Sequence, residues 1–448
     1  MLYFKRKTNA YLDEWKRDPS RTPLIIEGAR QIGKTCTIRN FAKSNYSSVV
    51  EINFAEMKKF KGITENGYSA ESITNLISFL DPSMRFIPRK TLIFFDEIQE
   101  YPDIATCLKF FREDGRYDVI CSGSMLGIKL NEVNSISVGN KCNYTMRSMD
   151  FEEYLWAKGY TGNVIDNMLA HMLDGEPFSK IEHDVFTRLF LEYCIVGGMP
   201  EVIKSYITSN LYTDILSKQR TLTNDYEDDM IKYAEGLDKM KLIRTFRSIP
   251  SQLAKANKKF QYSKIAHGAR SGEYLGCVDW LENYGIINIT HCLNYPELPL
   301  KGNENYDAFK VYVSDTGLLV SMLEDEAYED LRVNRNLGVY KGALYENFAA
   351  EALVKQDYAL YYYSKPNSTL EQDFFIRSTN ELIPLDINSG NTQKKSIRTL
   401  IQSPEYEDIR HGIKFISGNI GFIDPIYTFP HYCMFLLKRF MKEQNIFG

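Results

Sequence analysis

A glycine-rich stretch near the start of the chain has the residue types and the spacing needed to hold phosphate groups. Residues 28–35 read G-A-R-Q-I-G-K-T and fit the phosphate-loop pattern G-x-x-x-x-G-K-[ST] at every required position. Gly28 and Gly33 allow tight turns that aim backbone N–H groups at phosphate oxygens. Lys34 supplies a cation for the β and γ phosphates, and Thr35 supplies a hydroxyl ligand for Mg²⁺. The predicted ATP contacts are Gly28, Ala29, Arg30, Gln31, Ile32, Gly33, Lys34, Thr35, Cys36 and Asp96.

A pair of acidic residues follows an apolar strand downstream of this loop. Residues 92–95 are apolar and of strand-forming type, which is typical of a strand buried on both faces. At the carboxyl end of this strand, Asp96 is predicted to hold Mg²⁺ through its water shell, and Glu97 to polarise the water that attacks the γ-phosphate. An isolated Asp-Glu pair is more often a solvated turn. The phosphate loop upstream favours the catalytic interpretation.

A further strand, over residues 117–121, ends at Ser122-Gly123-Ser124. A small polar side chain placed beside the strand of Asp96 can contact the attacking water or the γ-phosphate, so Ser124 is predicted to be a sensor of the γ-phosphate. The alternative is an ordinary strand-ending turn, in which Ser and Gly are common. The neighbouring motifs favour the sensor.

Strand and helix signals alternate around these motifs. Residues 23–27 and 48–54 have strand patterns, whereas residues 37–43 and 69–80 have helical ones. This β-α-β-α-β alternation predicts a parallel sheet with helices on its faces, the α/β class of the P-loop NTPases.

The chain also resembles a known family along nearly its whole length. It is similar to the prokaryotic AAA+ family ATPases that carry an uncharacterised C-terminal domain, through G-A-R-Q-I-G-K-T, F-F-D-E-I-Q, S-G-S, M-D-F-E-E-Y-L-W-A (149–157), Y-C-I-V-G-G-M-P-E (193–201), F-K-V-Y-V-S-D-T-G-L-L (309–319) and K-G-A-L-Y-E-N (341–347). The resemblance implies an AAA+ P-loop ATPase core (1–160), a helical lid (161–235), a winged-helix domain (236–335) and a nuclease-like C-terminal domain (336–448). Oligomerisation is a further expectation of the AAA+ resemblance.

Two departures from the family pattern bear on hydrolysis. Asn140 stands where family members often have a basic residue in a V-G-[KR] segment, here Val138-Gly139-Asn140, and Ser148 stands in place of a nearby proline. If the missing cation normally assists charge development at the γ-phosphate, hydrolysis is slow unless Lys141 or Arg147 substitutes for it. The candidates for a trans-acting arginine, with ordinary surface positions as an equal alternative, are Arg112 and Arg116.

The C-terminal module resembles the PD-(D/E)xK nucleases, a restriction-endonuclease-like α/β fold. The resemblance implies a possible second metal site at Glu346, Asp373 and Asp386. Asn388 occupies the place of the lysine that steadies the nucleophile, and an amide supplies no positive charge. Lys394 or Lys395 would have to replace that lysine, so a degenerate module kept for binding or structure is favoured over a nuclease.

A change of charge follows the predicted lid. Residues 236–270 contain nine basic residues against the single acid Asp238. Residues 271–284 then have a helical pattern, and the order of helix, turn, helix and strand is that of a winged helix. DNA binding through this domain is therefore one possibility, and a protein docking module or a second wall of the nucleotide site is the alternative.

Composition limits the class of protein. At 448 residues the chain is expected to contain several domains, and its net charge of −4 gives no global signal for nucleic acid or membrane. The sequence shows neither a signal peptide nor an apolar run long enough to span a bilayer, which predicts a cytoplasmic protein without a membrane partner. Eight cysteines without a C-x-x-C pair argue against structural zinc and disulfides.

The function predicted from these features is ATP binding with Mg²⁺, followed by hydrolysis that drives a conformational switch acting on nucleic acid or a protein partner. The catalytic residues of this interpretation are Lys34, Glu97 and Ser124, and the metal ligands are Thr35 and Asp96. Two alternatives stay open at this point. One is an ATP-gated, metal-dependent nuclease, and the other is a scaffold that binds nucleotide without hydrolysing it.

Overall fold

The computed structural model describes residues 3–124, 139–255, 258–333, 339–388 and 396–444. Val138, Lys394 and Lys395 lie outside these residues. The chain forms two compact units, the first comprising Met1–Ser148 with Asn283–Gly285, and the second Met149–Glu282 with Ile286–Gly448. No helix among the described residues is both long and apolar enough to cross a membrane.

The first unit is built on a five-stranded parallel sheet. Its strands follow the order β2-β3-β4-β1-β5, so β4 separates the strand before the phosphate loop from the strand that ends at Asp96. This confirms the predicted parallel α/β sheet. The elements are α1 (Lys7–Arg17), β1 (Leu24–Glu27), α2 (Lys34–Asn45), β2 (Ser48–Asn53), α3 (Ala70–Leu80), β3 (Thr91–Asp96), α4 (Ile104–Asp114), β4 (Asp118–Gly123) and β5 (Cys142–Thr145).

The strand β3 is covered on both faces of the sheet. All six of its residues are buried, as the unbroken apolar run predicts for a strand covered on both faces. On one face, Ile93 and Phe95 belong to an apolar cluster with residues of α3 and α4, including Ile77 and Phe111. The strand therefore presents its carboxyl end, which carries the acidic pair, from a fixed position in the core.

The second unit begins with a helical region. Its first helix starts with a capping box in which the Asp150 and Glu153 side chains each accept from the other's backbone N–H, at 2.9 and 3.1 Å. Phe151 then packs edge-on against Tyr193, with ring centroids 5.5 Å apart. The helices are α5 (Phe151–Ala157), α6 (Gly162–Asp174), α7 (Lys180–Val196), α8 (Pro200–Ser209), α9 (Tyr212–Tyr233), α10 (Lys239–Leu253) and α11 (Ser271–Tyr284).

An eight-stranded mixed sheet completes the second unit. Its order is β12-β13-β11-β10-β9-β8-β6-β7, with β6 (Ile287–Leu293) antiparallel to β7 (Glu304–Val313) and parallel to β8 (Tyr361–Ser364). The strand that follows the predicted winged-helix helices, β6, thus shares a sheet with the C-terminal strands. The boundaries at residues 160, 235 and 335 stay predictions. The other elements are α12 (Thr316–Ser321), α13 (Asp325–Arg332), α14 (Val339–Val354), β9 (Glu371–Arg377), β10 (Leu382–Ile387), α15 (Ser396–Gln402), β11 (Gly412–Ile416), β12 (Gly421–Ile423), β13 (Ile426–Pro430) and α16 (Leu437–Glu443).

Candidate nucleotide site

The glycine-rich loop turns through backbone conformations that side chains disfavour. Gly28 has φ +145°, and a Cβ built there would lie 2.1 Å from the carbonyl oxygen of Met146. Gln31 and Gly33 also have positive φ, at 61° and 94°. Only glycine fits at position 28, because both its φ and the approach of residue 146 exclude a side chain. The loop ends where Lys34 begins α2.

Lys34 lies across the loop that precedes it. Its Nζ donates to the carbonyl oxygens of Gly28 and Ala29, at 2.9 and 2.8 Å. Burial lowers the pKa of this ammonium to about 8, although the carboxylates of Glu97 and Asp96 act in the opposite direction. The anionic oxygens of a triphosphate favour the protonated form, so binding of ATP is expected to raise this pKa.

The Asp96 carboxylate is the best-connected group of the site. Its Oδ2 accepts from Thr35 Oγ1 at 3.1 Å and from Asn53 Nδ2 at 3.2 Å, while its Oδ1 accepts from Ser122 Oγ and from the backbone N–H of Glu97. Only 1% of Asp96 is exposed. The structure therefore brings Thr35 and Asp96 together, and a hydroxyl beside a carboxylate offers the oxygen ligands that Mg²⁺ prefers.

Glu97 and Ser124 meet at a third residue. Glu97 has φ +54°, and the amide nitrogen of Gln99 donates to its Oε2. The same nitrogen lies 3.5 Å from Ser124 Oγ. Glu97 thus follows the strand of Asp96 directly and is connected through Gln99 to the predicted sensor at the end of β4. Their catalytic roles stay predictions.

The remaining loop residues differ in their surroundings. Ile32 is buried, and its carbonyl oxygen accepts from Arg6 Nη1 at 2.8 Å. Arg6 Nη2 also donates to the carbonyl oxygen of Arg147 at 2.6 Å, so one buried guanidinium fixes the phosphate loop to the segment after β5. Cys36 is exposed and Arg30 half-buried.

Sequence reasoning missed four residues of this site: Arg6, Asn53, Gln99 and Ser122. Asn53 could have been found once β2 and β3 were paired, because it lies opposite Asp96 in the parallel register. Ser122 lies near the end of β4 and belongs to the same S-G-S motif as the predicted sensor, so the motif already contained it. Gln99 is the last residue of the F-F-D-E-I-Q motif, but the sequence does not show the turn that brings it back to Glu97. Nothing in the local sequence distinguishes Arg6 from its basic neighbours.

The two candidates for a trans-acting arginine, and Lys141 as a substitute for the missing cation, have partners within the first unit. Arg112 Nη1 donates to Gly139 O at 2.5 Å and to Asn140 Oδ1 at 2.8 Å. Lys141 Nζ donates to Asn143 Oδ1 at 2.6 Å, and Arg116 pairs with Asp114 at 2.5 Å. Asn140 thus accepts from one of the candidate arginines, and an arginine finger stays a prediction.

The C-terminal carboxylates have cationic or polar partners of their own. Glu346 on α14 pairs with Lys258 and with Lys310, the latter at 3.2 Å, and accepts from Tyr312 OH at 2.6 Å. Lys310 also pairs with Glu371 at 3.0 Å. Lys258 and Lys310 are distant from Glu346 in the sequence, which is why the motif did not reveal them.

The other two carboxylates lie on neighbouring antiparallel strands. Asp373 accepts from the backbone N–H of Ile387, and Asp386 from Nδ2 of Asn388, both at 2.9 Å. Asn388, in the place of the nuclease lysine, therefore holds a carboxylate. Within the described ranges, no group of three or more His, Cys, Asp or Glu side chains is arranged to hold a metal ion.

Part of the basic stretch is neutralised inside the second unit. Lys241 pairs with Glu273 at 2.8 Å, and Arg247 with Glu227 at 2.5 Å. Lys258 likewise pairs with the carboxylate of Glu346. The charge available to a nucleic acid is smaller than the sequence suggests.

A comparison with models of protein families supports the nucleotide site predicted from the phosphate loop. The model of an AAA domain matches residues 20–155. These residues form an AAA domain. The assignment implies nucleotide binding, and two domains of unknown function follow, DUF8612 over residues 187–329 and DUF4143 over residues 341–422. No curated protein sequence matches the chain.

Several solved structures are similar to this chain. A Walker-type ATPase of Pyrococcus abyssi is 13% identical, with 71% of this chain and 96% of that one covered and a TM-score of 0.43. The ORC1 protein of Aeropyrum pernix, solved in complex with DNA, is 11% identical over 74% of this chain and 93% of its own, with a TM-score of 0.28. The RuvB Holliday junction branch migration motor of Thermotoga maritima is 13% identical over 73% and 95%, with a TM-score of 0.27.

Proposed function

We propose that this protein hydrolyses ATP at the AAA domain and that hydrolysis drives a conformational switch acting on a protein or nucleic-acid partner. The observation that carries the proposal is the contact of Thr35 with Asp96, at 3.1 Å, beside Lys34 and Glu97. These residues come from two motifs far apart in the sequence. Their convergence at one edge of a parallel sheet supports a phosphoryl-transfer site.

Binding of ATP follows from the loop and from Lys34. The backbone N–H groups of the glycine-rich loop and of the first turn of α2 surround the β-phosphate, and the helix N-terminus favours its negative charge. Lys34 exchanges the carbonyl oxygens of Gly28 and Ala29 for phosphate oxygens. Thr35 and Asp96 would hold Mg²⁺, which neutralises charge on the phosphates when bound.

In hydrolysis, Glu97 acts as the general base. A water oxygen forms a bond to the γ-phosphorus, and the bond from that phosphorus to the oxygen bridging the β-phosphate breaks. Glu97 takes the proton that the water loses, and Ser124 donates a hydrogen bond to the γ-phosphate or orients the water. The products are ADP and inorganic phosphate.

Two substitutions separate binding from turnover. Lys34→Ala removes the cation predicted to bind the β and γ phosphates, so ATP binding is expected to be lost. Glu97→Gln keeps the shape of the side chain but removes the base, so ATP binds while turnover falls roughly 10²- to 10⁴-fold. Binding of a fluorescent ATP analogue and release of phosphate measure the two effects.

Glu100→Gln is the matched control. It makes the same chemical change three residues along, at a side chain that pairs with Lys61 at 3.3 Å, so turnover close to wild type is expected. Turnover by Glu97→Gln at the wild-type rate would refute the role of Glu97. Tight ATP binding by the wild type, without turnover, would instead support the nucleotide-held scaffold.

A nuclease is not the function that the C-terminal geometry favours. A catalytic metal needs carboxylates that are free to neutralise it, whereas Glu346 already faces the ammonium groups of Lys258 and Lys310. We therefore assign this module to binding or structure.

A further inference from the structure

We infer that Gln99 is a positioning residue that holds the Glu97 carboxylate and couples it to Ser124. The inference deepens the proposed ATPase function and rests on it. It gives a role to a residue that neither the phosphate loop nor the acidic pair includes. It also explains how contact of Ser124 with the γ-phosphate could affect Glu97, because Gln99 contacts both residues.

The backbone after β3 brings the side chains of Glu97 and Gln99 together. Glu97 has φ +54°, a left-handed conformation that is uncommon for residues other than glycine. A short 3-10 helix over Ile98–Glu100 follows immediately. Such backbone outliers persist where the surrounding structure fixes them, often at functional sites. Here the turn brings the Gln99 amide to Oε2 of Glu97.

The chemistry of the two groups fixes the direction of this hydrogen bond. An ionised carboxylate only accepts, so the amide nitrogen of Gln99 must face Glu97. The same nitrogen lies 3.5 Å from Ser124 Oγ, and Gln99 is only 7% exposed. One buried amide group therefore contacts both the predicted base and the predicted sensor.

The other end of the amide argues against a purely structural role. Gln99 Oε1 is buried and has no hydrogen-bond partner among the described residues. A buried acceptor without a partner is unfavourable, and an apolar residue of the same size would avoid it. A glutamine at this position is explained by what its nitrogen does, which is to hold Glu97.

Two consequences follow for turnover. With one carboxylate oxygen held by Gln99, the other oxygen of Glu97 is left to receive the proton of the attacking water. Movement of Ser124 towards the γ-phosphate changes the contact of Ser124 with Gln99, and so changes how firmly Glu97 is held. The base is then set in place when the correct nucleotide is bound.

Gln99→Met tests the inference, because methionine keeps the length of the side chain and removes the amide. We expect kcat for ATP to fall roughly 10- to 100-fold, as for a displaced catalytic group, while the Kd for ATP changes by less than about twofold. Combining Gln99→Met with Ser124→Ala gives a second readout. If Ser124 acts on Glu97 through Gln99, the double variant loses less kcat than the product of the two single losses, whereas a merely structural role of Gln99 gives losses that multiply.

The outcomes separate this inference from the proposed function. Wild-type turnover that depends on Glu97 but is unchanged in Gln99→Met would overturn the role of Gln99 alone. Equal losses of ATP binding and kcat in that variant would also overturn it, because they indicate a structural defect of the site. Absence of turnover by the wild type would overturn the proposed function itself. If Gln99→Met does not fold, Gln99→Leu takes its place in the same assays, and a kcat equal to that of the wild type refutes the inference.

Discussion

At the scale of single residues, the phosphate loop depends on Gly28, a position that leaves no room for a side chain. In Gly28→Ala, a Cβ would lie 2.1 Å from the Met146 carbonyl oxygen, and the backbone would keep an unfavourable φ of +145°. The loop must then shift, which displaces the N–H groups that hold phosphate. We expect ATP affinity to fall by at least about tenfold, since a shift of 1 Å is costly in a preorganised site. Titration with a fluorescent ATP analogue measures the loss.

Gly115→Ala is the matched control for that substitution. Gly115 ends α4 with φ +65°, but a Cβ built there meets no atom within 4 Å. Its cost is limited to the backbone conformation, about 1 kcal/mol of stability, and ATP affinity is expected to be unchanged. Equal effects of the two substitutions on ATP affinity would show that the close approach at Gly28 is unimportant.

Whether a residue of the nucleotide site could be predicted depends on whether it belongs to a local sequence motif. Lys34 and Thr35 belong to one contiguous motif, and Asp96 ends an unbroken apolar run, so their types and positions could be predicted. Asn53 and Ser122 contact Asp96 because strands pair in a particular register, which the sequence does not state. Side chains that support a motif from other strands are the part that local patterns leave out.

At the scale of elements, a buried ion-pair network connects α14 to β7. Lys310 is 1% exposed and pairs with Glu346 and Glu371, at 3.2 and 3.0 Å. Lys310→Met would remove one partner of a buried charge, so we expect a loss of about 3 kcal/mol in the free energy of unfolding. The midpoint of urea-induced unfolding of the second unit measures this loss of stability.

An exposed pair in the same unit provides the comparison. Lys365 pairs with Glu405 at 3.1 Å, with 42% and 55% of the two side chains exposed. Lys365→Met is expected to cost at most about 1 kcal/mol, because solvent screens such pairs. Similar urea midpoints for the two variants would contradict a stabilising role of the network.

The two sheets were predictable to different degrees. Alternating strands and helices in the first unit specified a parallel sheet, because parallel strands need crossover connections. The mixed sheet of the second unit combines β6 and β8, whose pairing brings His291 opposite Tyr361 across a long stretch of chain. Helix, turn, helix and strand order alone therefore suggested a winged helix, without showing which sheet the strands would join.

At the scale of the whole molecule, charge limits how DNA could be bound. The net charge is −4, and Lys241, Arg247 and Lys258 of the basic stretch have carboxylate partners. Charge reversal at Lys258 would therefore break a buried ion pair, and a loss of binding in that variant would report damage to the fold. Exposed Arg244 and Lys264 are better positions for testing DNA contact.

We expect duplex DNA to be bound only at the non-specific level, with Kd on the order of 10⁻⁴ to 10⁻⁶ M at physiological salt. Each basic residue that contacts a phosphate contributes about one unit to the slope of log K against log salt, so Arg244→Glu with Lys264→Glu should reduce that slope by about two. Fluorescence anisotropy of a labelled duplex over a salt series measures it. Nanomolar binding that persists at physiological salt, or a slope unchanged by the double substitution, would contradict this expectation. The first result would make DNA the partner on which the ATPase acts, and the second would place DNA contacts elsewhere on the molecule.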